Sequence, residues 1–207
     1  MKTIVCYGDS NTYGYNPKNE LRYDLDIIWT SILANLLKDE YEVYNEGLNG
    51  RTTAYDRPND PDKNGFTSLL PILHKYKQID ILVFMLGTND CLKTTNLTVE
   101  QIASGMEKLL VTAKQDILSR QGYEPRIILV SPAAIGKEYK NSVFAYELDD
   151  ETVNKSHQLA KPYKQLADKY NCDYLDCTDL DISTIDCEHL TEESHNKLAH
   201  MLYEIIR

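Results

Sequence analysis

Hydrophobic residues occur along this chain in two alternating patterns. Short apolar runs, which are typical of buried strands, are separated by longer stretches in which apolar residues recur at helical spacing. Thr3–Tyr7 and Ile81–Leu86 are runs of the first kind, whereas Ile27–Leu37 shows the i, i+3, i+4 spacing of a helix that packs on a sheet. This alternation indicates βαβ units, so the pattern predicts an α/β protein with a mainly parallel sheet.

The rest of the chain continues the alternation. Further strands are predicted at Tyr41–Tyr44, Arg126–Val130 and Cys172–Leu175, and further helices at Thr98–Arg120, Glu151–Tyr170 and from Thr191 onward. Thr98 and Gln101 have the spacing of a capping box, and Thr191 precedes two glutamates that suit the first turn of a helix. We therefore predict a three-layer α/β/α sandwich with about five strands, formed by a single domain over residues 1–207.

Three long stretches do not fit this pattern and are predicted to be loops: Asn45–Phe66, Ser131–Asp150 and Thr178–Leu190. Loops of this length within a domain are usually functional. Each follows a predicted strand, so all three are expected at the carboxyl edge of the sheet, where open α/β folds bind their ligands.

Composition and charge narrow the functional classes. Of the 207 residues, 22 are Lys or Arg and 32 are Asp or Glu, which gives a formal net charge of −10 at pH 7. Such a chain lacks the positive field that nucleic acids and anionic membrane surfaces require, so we expect neither as a partner. The five scattered cysteines are typical of free thiols, and the N-terminal apolar run is too short for a signal peptide, so we expect a cytoplasmic protein.

Residues suited to acyl transfer follow two of the predicted strands and precede the last helix. Ser10 comes directly after the first strand and could present its hydroxyl at the sheet edge as a nucleophile. His189 could act as the base, and Asp186, three residues earlier on the same turn, could orient its imidazole. Each segment alone also fits an ordinary turn, but together they supply the nucleophile, the base and the orienting acid.

Two other strand ends offer donors for a developing oxyanion. Asn89 follows the most hydrophobic strand with a neutral amide, and Gly50 lies in the turn-forming stretch Gly47–Thr53 with a backbone N–H. The N–H of Ser10 itself is the third candidate. With these donors the four segments complete the requirements of an acyl-transfer site.

The same segments carry a resemblance to a known family, the SGNH (GDSL-type) hydrolases. The matching blocks are Tyr7–Gly14, Gly50–Thr52, Gly87–Asp90 and Asp186–His189, and the four namesake residues would be Ser10, Gly50, Asn89 and His189. Glu46–Thr53 and Met85–Asp90 are more narrowly similar to the arylesterase/acyltransferase branch. The resemblance implies the flavodoxin-like fold of that family, a Ser10–His189–Asp186 triad and an oxyanion hole formed by Ser10, Gly50 and Asn89.

The resemblance also implies a substrate class, a reaction without a cofactor and an oligomeric state. We expect a small-molecule ester as substrate, with water or an alcohol releasing the acyl group, and neither a metal nor an organic cofactor. Acetylated sugars, thioesters and lysophospholipids stay open as substrates, because loops rather than the triad select them. Because close members of the family assemble through these loops, we also expect a homo-oligomer.

Neighbouring residues are assigned supporting roles. Asp9 and Asp90 are expected to support the site or its turns rather than to react. Tyrosines near the crevice could form an apolar acyl or aryl pocket: Tyr13, Tyr15, Tyr55 and Tyr139. Many relatives have Gly and a hydrophobic residue where this chain has Cys187 and Glu188, and Glu188 could either raise the basicity of His189 or point outward.

Three alternatives compete with the ester hydrolase. A metal site is one, because potential ligands are concentrated near the C-terminus: Cys172, Cys177, Cys187, His189, His195 and His200. Their spacing is looser than that of structural zinc sites. A phosphatase with Asp9 as nucleophile would require a second Asp at position 11, which is Asn. The third alternative, a binding module without activity, conflicts with the presence of Ser10, Asp186 and His189.

Overall fold

The computed structural model describes residues 1–58 and 60–207. The strands within these residues are β1 (Lys2–Gly8), β2 (Tyr15–Asn16), β3 (Leu21–Arg22), β4 (Tyr41–Gly47), β5 (Ile81–Met85), β6 (Arg126–Ser131) and β7 (Asp173–Asp176). The α-helices are α1 (Ser10–Tyr13), α2 (Trp29–Leu36), α3 (Gly65–Leu73), α4 (Val99–Gln121), α5 (Asp150–Gln158), α6 (Ala160–Tyr170) and α7 (Glu192–Ile206).

Five of the strands form one parallel sheet in the order β4-β1-β5-β6-β7. The first strand, β1, is an interior strand and pairs with β4 on one side and β5 on the other. The short strands β2 and β3 form a separate antiparallel pair. The parallel α/β fold predicted from the hydrophobic pattern is confirmed.

The two faces of the sheet bury separate hydrophobic cores. Alternate residues of β1 point to opposite faces, so Val5 contributes to one core and Ile4 to the other. The first core is covered by α3, α4, α5 and α6, and the second by α2 and α7. The predicted three-layer α/β/α arrangement follows from this packing.

The parallel strands all end at the same edge of the sheet. The segments that leave β1, β4, β5 and β7 at this edge carry the candidate residues Ser10, Gly50, Asn89 and His189. The fold therefore delivers four parts of the chain that are distant in sequence to one crevice.

Three elements differ from the sequence-based expectation. Strand β4 continues to Gly47, inside the predicted loop 45–66, and helix α3 begins at Gly65, at the end of that loop. The predicted continuous helix 151–170 is interrupted at Leu159. The interruption places Pro162 in the first turn of α6, where a missing backbone N–H costs no helical hydrogen bond.

Within residues 1–58 and 60–207, none of the helices is both long enough and apolar enough to cross a bilayer.

Candidate active site

Ser10, His189 and Asp186 form a chain of hydrogen bonds at the sheet edge. Ser10 Oγ lies 2.7 Å from His189 Nε2, and His189 Nδ1 lies 2.7 Å from Asp186 Oδ2. Because a carboxylate only accepts hydrogen bonds, Nδ1 carries the proton and Nε2 is left to accept from the serine hydroxyl. All three side chains are buried. The structure thus brings the predicted nucleophile, base and acid into hydrogen-bond contact.

The turn that carries Asp186 and His189 is held by its own backbone. Asp186 Oδ1 accepts the N–H groups of Glu188 and His189, both at 3.1 Å. Cys187 between them adopts a left-handed backbone with φ of +62°. One carboxyl group therefore fixes both the turn and the imidazole orientation.

Asn11, which follows Ser10, forms hydrogen bonds with the segment that carries His189. Its Oδ1 accepts the N–H of Leu190 at 2.9 Å, and its Nδ2 donates to the carbonyl of Glu188 at 3.4 Å. Trp29 Nε1 in turn donates to the Asn11 carbonyl at 3.0 Å. Asn11 was not singled out from the sequence, although it lies beside Ser10 in the first motif block.

The predicted oxyanion donors lie beside the serine. Asn89 Nδ2 donates to the carbonyl of Arg51 at 3.1 Å, which orients the amide and leaves its second N–H available. Gly50 has a φ of +78°, a backbone conformation that favours glycine. Gly50 and Asn89 both line the cavity that contains Ser10.

The pKa of His189, the candidate base, differs from its ordinary value. Burial opposes its charged form, but the hydrogen bond with Asp186 and the charges of Glu188, Asp186 and Asp9 together raise the pKa of His189 above its ordinary value. The negative side chains therefore stabilise the imidazolium that proton transfer from a serine would create.

Asp9 and Asp90 are buried and do not line the cavity. Asp9 caps α1 by accepting the N–H of Asn11 at 2.9 Å, and burial raises its pKa to about 7. Asp90 accepts the N–H of Thr53 at 2.9 Å and its hydroxyl at 2.6 Å, and burial raises its pKa to about 6. Both aspartates thus contact turns of the site rather than the space in front of the serine hydroxyl.

The cavity in front of Ser10 has a volume of about 190 Å³. Three aromatic side chains line it: Tyr15, Phe144 and Tyr146. The rings of Tyr15 and Phe144 flank His189, with centroids at 4.4 Å and 6.1 Å from the imidazole centroid. Phe144 and Tyr146 come from the loop after β6, which shows no recognisable motif, so the sequence did not identify them.

The proposed tyrosine pocket needs correction, because Tyr13, Tyr55 and Tyr139 lie outside this cavity. The Tyr13 ring packs under the Arg22 guanidinium at 4.9 Å, and Tyr55 contacts α4 near Gly105. The hydroxyl of Tyr139 is engaged with Asp150 at 2.8 Å. Of the tyrosines considered from the sequence, Tyr15 does line the cavity, because the chain changes direction at Gly14, where φ is +91°.

Charged residues also line the cavity in front of Ser10. Arg57 Nη2 and Glu147 Oε2 form an ion pair at 3.3 Å, and Glu188 also lines the cavity. Of the two positions considered for Glu188, the structure shows the inward one, with 6% of the residue exposed. Burial raises the pKa of its carboxyl group, although the charge of His189 opposes this.

The C-terminal cysteines and histidines are the candidate ligands for a metal ion. In the part of the chain that the structure describes, no three His, Cys, Asp or Glu side chains are arranged to hold an ion. The geometry instead places His189 in contact with Ser10 and Asp186.

Comparisons with known proteins agree with this geometry. The family model of the GDSL-like lipase/acylhydrolase family matches residues 6–201. A carbohydrate acetylesterase family member from Sinorhizobium meliloti is 36% identical, with a TM-score of 0.92, over 100% of this chain and 98% of that protein. A search of curated proteins found no match.

A second similar structure is that of a protein with a different activity. The inhibitor-bound aryl esterase of M. smegmatis is 30% identical, with a TM-score of 0.92, over 100% of this chain and 99% of that protein. The family match covers nearly the whole chain, and both similarities extend over its full length. This chain belongs to the GDSL-like lipase/acylhydrolase family.

Proposed function

We propose that this protein is a serine ester hydrolase that cleaves short-chain carboxylic esters through an acyl-enzyme. The observation that carries the proposal is the hydrogen-bonded chain from Ser10 through His189 to Asp186, with 2.7 Å at each contact. This chain opens into a cavity that Gly50 and Asn89 also line, so nucleophile and oxyanion donors face one space.

Each residue has a defined part in the reaction. Ser10 Oγ attacks the ester carbonyl carbon while its proton passes to His189 Nε2, and Asp186 stabilises the resulting imidazolium. The tetrahedral intermediate collapses, the bond to the alcohol oxygen breaks, and His189 returns the proton to the departing alcohol. Water, activated in the same way, then attacks the acyl-enzyme and releases the carboxylic acid and Ser10. An alcohol in place of water would give acyl transfer.

The oxyanion is stabilised by groups that are already in place. The N–H groups of Ser10 and Gly50 and the side-chain amide of Asn89 would donate to the negatively charged oxygen of the intermediate. Removal of one such donor typically costs about 3–4 kcal/mol of transition-state stabilisation. The bond from Asn89 to the Arg51 carbonyl holds the amide before substrate arrives, so little reorganisation is needed.

The size of the cavity favours small substrates. A volume of about 190 Å³ suits a short acyl group and part of an alcohol better than a long lipid chain. Acetylated carbohydrates are the second candidate, favoured by the similarity to the carbohydrate acetylesterase family member. Both candidates use the same reaction and differ only in the alcohol.

The test is hydrolysis of p-nitrophenyl acetate by purified variants. We expect Ser10→Ala and His189→Ala each to lower kcat by about four orders of magnitude or more, because members of such a triad act as a unit. Ser119→Ala and His200→Ala are the matched controls, since both side chains are exposed and distant from the cavity. Near-normal turnover by Ser10→Ala would remove the serine from the mechanism.

A further inference from the structure

Three carboxyl groups lie in or beneath the wall of the cavity, and two of them have partners. Asp186 accepts hydrogen bonds from the imidazole of His189 and from two backbone N–H groups. Glu147 forms its ion pair with Arg57 at 3.3 Å. The interactions of these two carboxyl groups are therefore accounted for by the protein.

Glu188 differs from both. It is 6% exposed, yet among the described residues no group donates a hydrogen bond to its carboxylate and no Lys or Arg nitrogen lies within 4 Å of it. Most buried side-chain acceptors in folded proteins have a hydrogen-bond donor. Because Glu188 lines the cavity, a molecule bound there is the natural source of the missing donor.

The position of Glu188 indicates which part of the substrate it would contact. The departing alcohol must receive its proton from His189 Nε2, so the alcohol lies next to the imidazole. Glu188 directly precedes His189, and the ring of Tyr15 lies beside the same imidazole, with the two ring centroids 4.4 Å apart. Aromatic surface together with a hydrogen-bond acceptor suits a ring that carries hydroxyl groups.

We propose that Glu188 is a specificity-determining residue that accepts a hydrogen bond from a hydroxyl group on the alcohol part of the ester. The inference rests on the proposed esterase function and assigns its preferred substrates to esters of polyhydroxylated alcohols. An ester of an apolar alcohol would displace solvent from the carboxyl group without offering it a hydrogen-bond donor. Sites built to bind a hydroxyl group reject analogues that lack it far more strongly than apolar pockets reject an extra methylene.

The test compares two acetate esters with rings of similar size. One is a monoacetylated methyl glucoside, and the other is cyclohexyl acetate, which has the same acyl group and no hydroxyl. Specificity is measured as the ratio of kcat/KM for the sugar ester to kcat/KM for cyclohexyl acetate. The variants are Glu188→Leu, which removes the acceptor, and Glu188→Gln, which keeps an acceptor oxygen without the charge.

We expect Glu188→Leu to lower the specificity ratio at least tenfold, because any loss through the charge of His189 affects both esters equally and cancels in the ratio, whereas the lost hydrogen bond affects only the sugar ester. Glu188→Gln should retain a larger part of the ratio, because its amide oxygen still accepts. Glu193→Leu, an exposed substitution on α7, is the matched control and should leave the ratio unchanged. Circular dichroism of each variant checks that the fold is kept, and Glu188→Ala, which also removes the acceptor, replaces Glu188→Leu if that variant does not fold.

Other outcomes separate the two proposals. If Glu188 acts only through the charge of His189, both variants will shift the pH profile of the two esters equally and leave the ratio intact, which overturns the inference. Failure of the wild type to cleave the sugar ester while it cleaves p-nitrophenyl acetate also overturns it. Hydrolysis of p-nitrophenyl acetate that persists in Ser10→Ala contradicts the esterase mechanism instead.

Discussion

Cys187 lies between the acid and the base of the candidate site, in a conformation that few residues adopt. Its φ is +62°, and its side chain is buried close to Gly136. A non-glycine residue in this region costs about 1–2 kcal/mol relative to an ordinary backbone. The turn that presents His189 to Ser10 therefore contains local strain that its hydrogen bonds to Asp186 offset.

A pair of substitutions measures this strain. We expect Cys187→Gly to have a higher free energy of unfolding than Cys187→Ala by about 1 kcal/mol, because both lose the thiol but only Ala keeps the unfavourable φ. Urea denaturation of the two variants gives the difference. At ordinary backbone positions the Ala variant has the higher free energy of unfolding. If Cys187→Ala is also the more stable variant here, that result would argue against the left-handed turn.

Asp9 gives the folded protein a pH-dependent stability. Burial raises the pKa of Asp9 from 3.8 to about 7, so the folded state binds the proton more tightly than the unfolded state. The resulting stability is fully present below pH 3.8 and is lost as the pH rises through about 7. Between pH 5 and 8 this loss is on the order of 2 kcal/mol.

Asp9→Asn should remove that dependence. The amide oxygen can still cap α1 by accepting the N–H of Asn11, while no charge forms at high pH. We expect the free energy of unfolding of the variant, relative to wild type, to be more favourable at pH 8 than at pH 5 in urea titrations. An equal difference at both pH values would mean that the burial of Asp9 does not shift its titration.

The positions of some site residues could be predicted from the sequence, and those of others could not. The contact between Ser10, His189 and Asp186 could be predicted because the three residue types together fit one reaction and each lies next to a strand end or a helix start. The inward direction of Glu188 could not, since it depends on the backbone path through Cys187. Tyr13 and Tyr55 were placed wrongly in the cavity, because position in the sequence does not define the direction of a side chain.

At the scale of elements, helix α4 follows its sequence signals closely. The predicted capping box is confirmed, since Thr98 Oγ1 accepts the N–H of Gln101 at 3.3 Å and Gln101 Oε1 accepts the N–H of Thr98 at 2.8 Å. These contacts are local, and local contacts can be predicted from spacing alone.

Removal of the cap should destabilise the protein without affecting the site. We expect Thr98→Ala to lower the free energy of unfolding by about 1 kcal/mol, because an N-terminal N–H of α4 loses its acceptor. Thr98→Ser keeps the hydroxyl and serves as the control. Thermal denaturation together with an ester assay checks both statements, and a Ser variant as unstable as the Ala variant would refute the capping role.

Other elements depend on contacts that the sequence pattern did not reveal. Helix α3 contains Pro71 and follows a stretch rich in Gly, Pro and Asp, so its signals resemble those of a loop. The interruption between α5 and α6 at Leu159 was missed because apolar spacing continues across it, whereas Pro162 requires a first-turn position.

At the scale of the whole molecule, the order of strands in the sheet explains why Ser10 and His189 lie in contact. Strand β1 lies between β4 and β5 in a parallel sheet, so Ser10 leaves it at the same edge from which the segments after β4, β5 and β7 extend. Asn11 then ties the first of these segments to the last through Leu190. The homo-oligomer, which is expected to form through the loops at this edge, stays a prediction, for which light scattering is the direct measurement.

The most direct test of the central claim is the reaction of the protein with a serine-reactive organophosphate, followed by peptide mass spectrometry. The account predicts one adduct per chain on Ser10, no adduct in Ser10→Ala, and much slower labelling in His189→Ala because the base is missing. An unlabelled Ser10 in a wild-type protein that still cleaves esters would contradict the account.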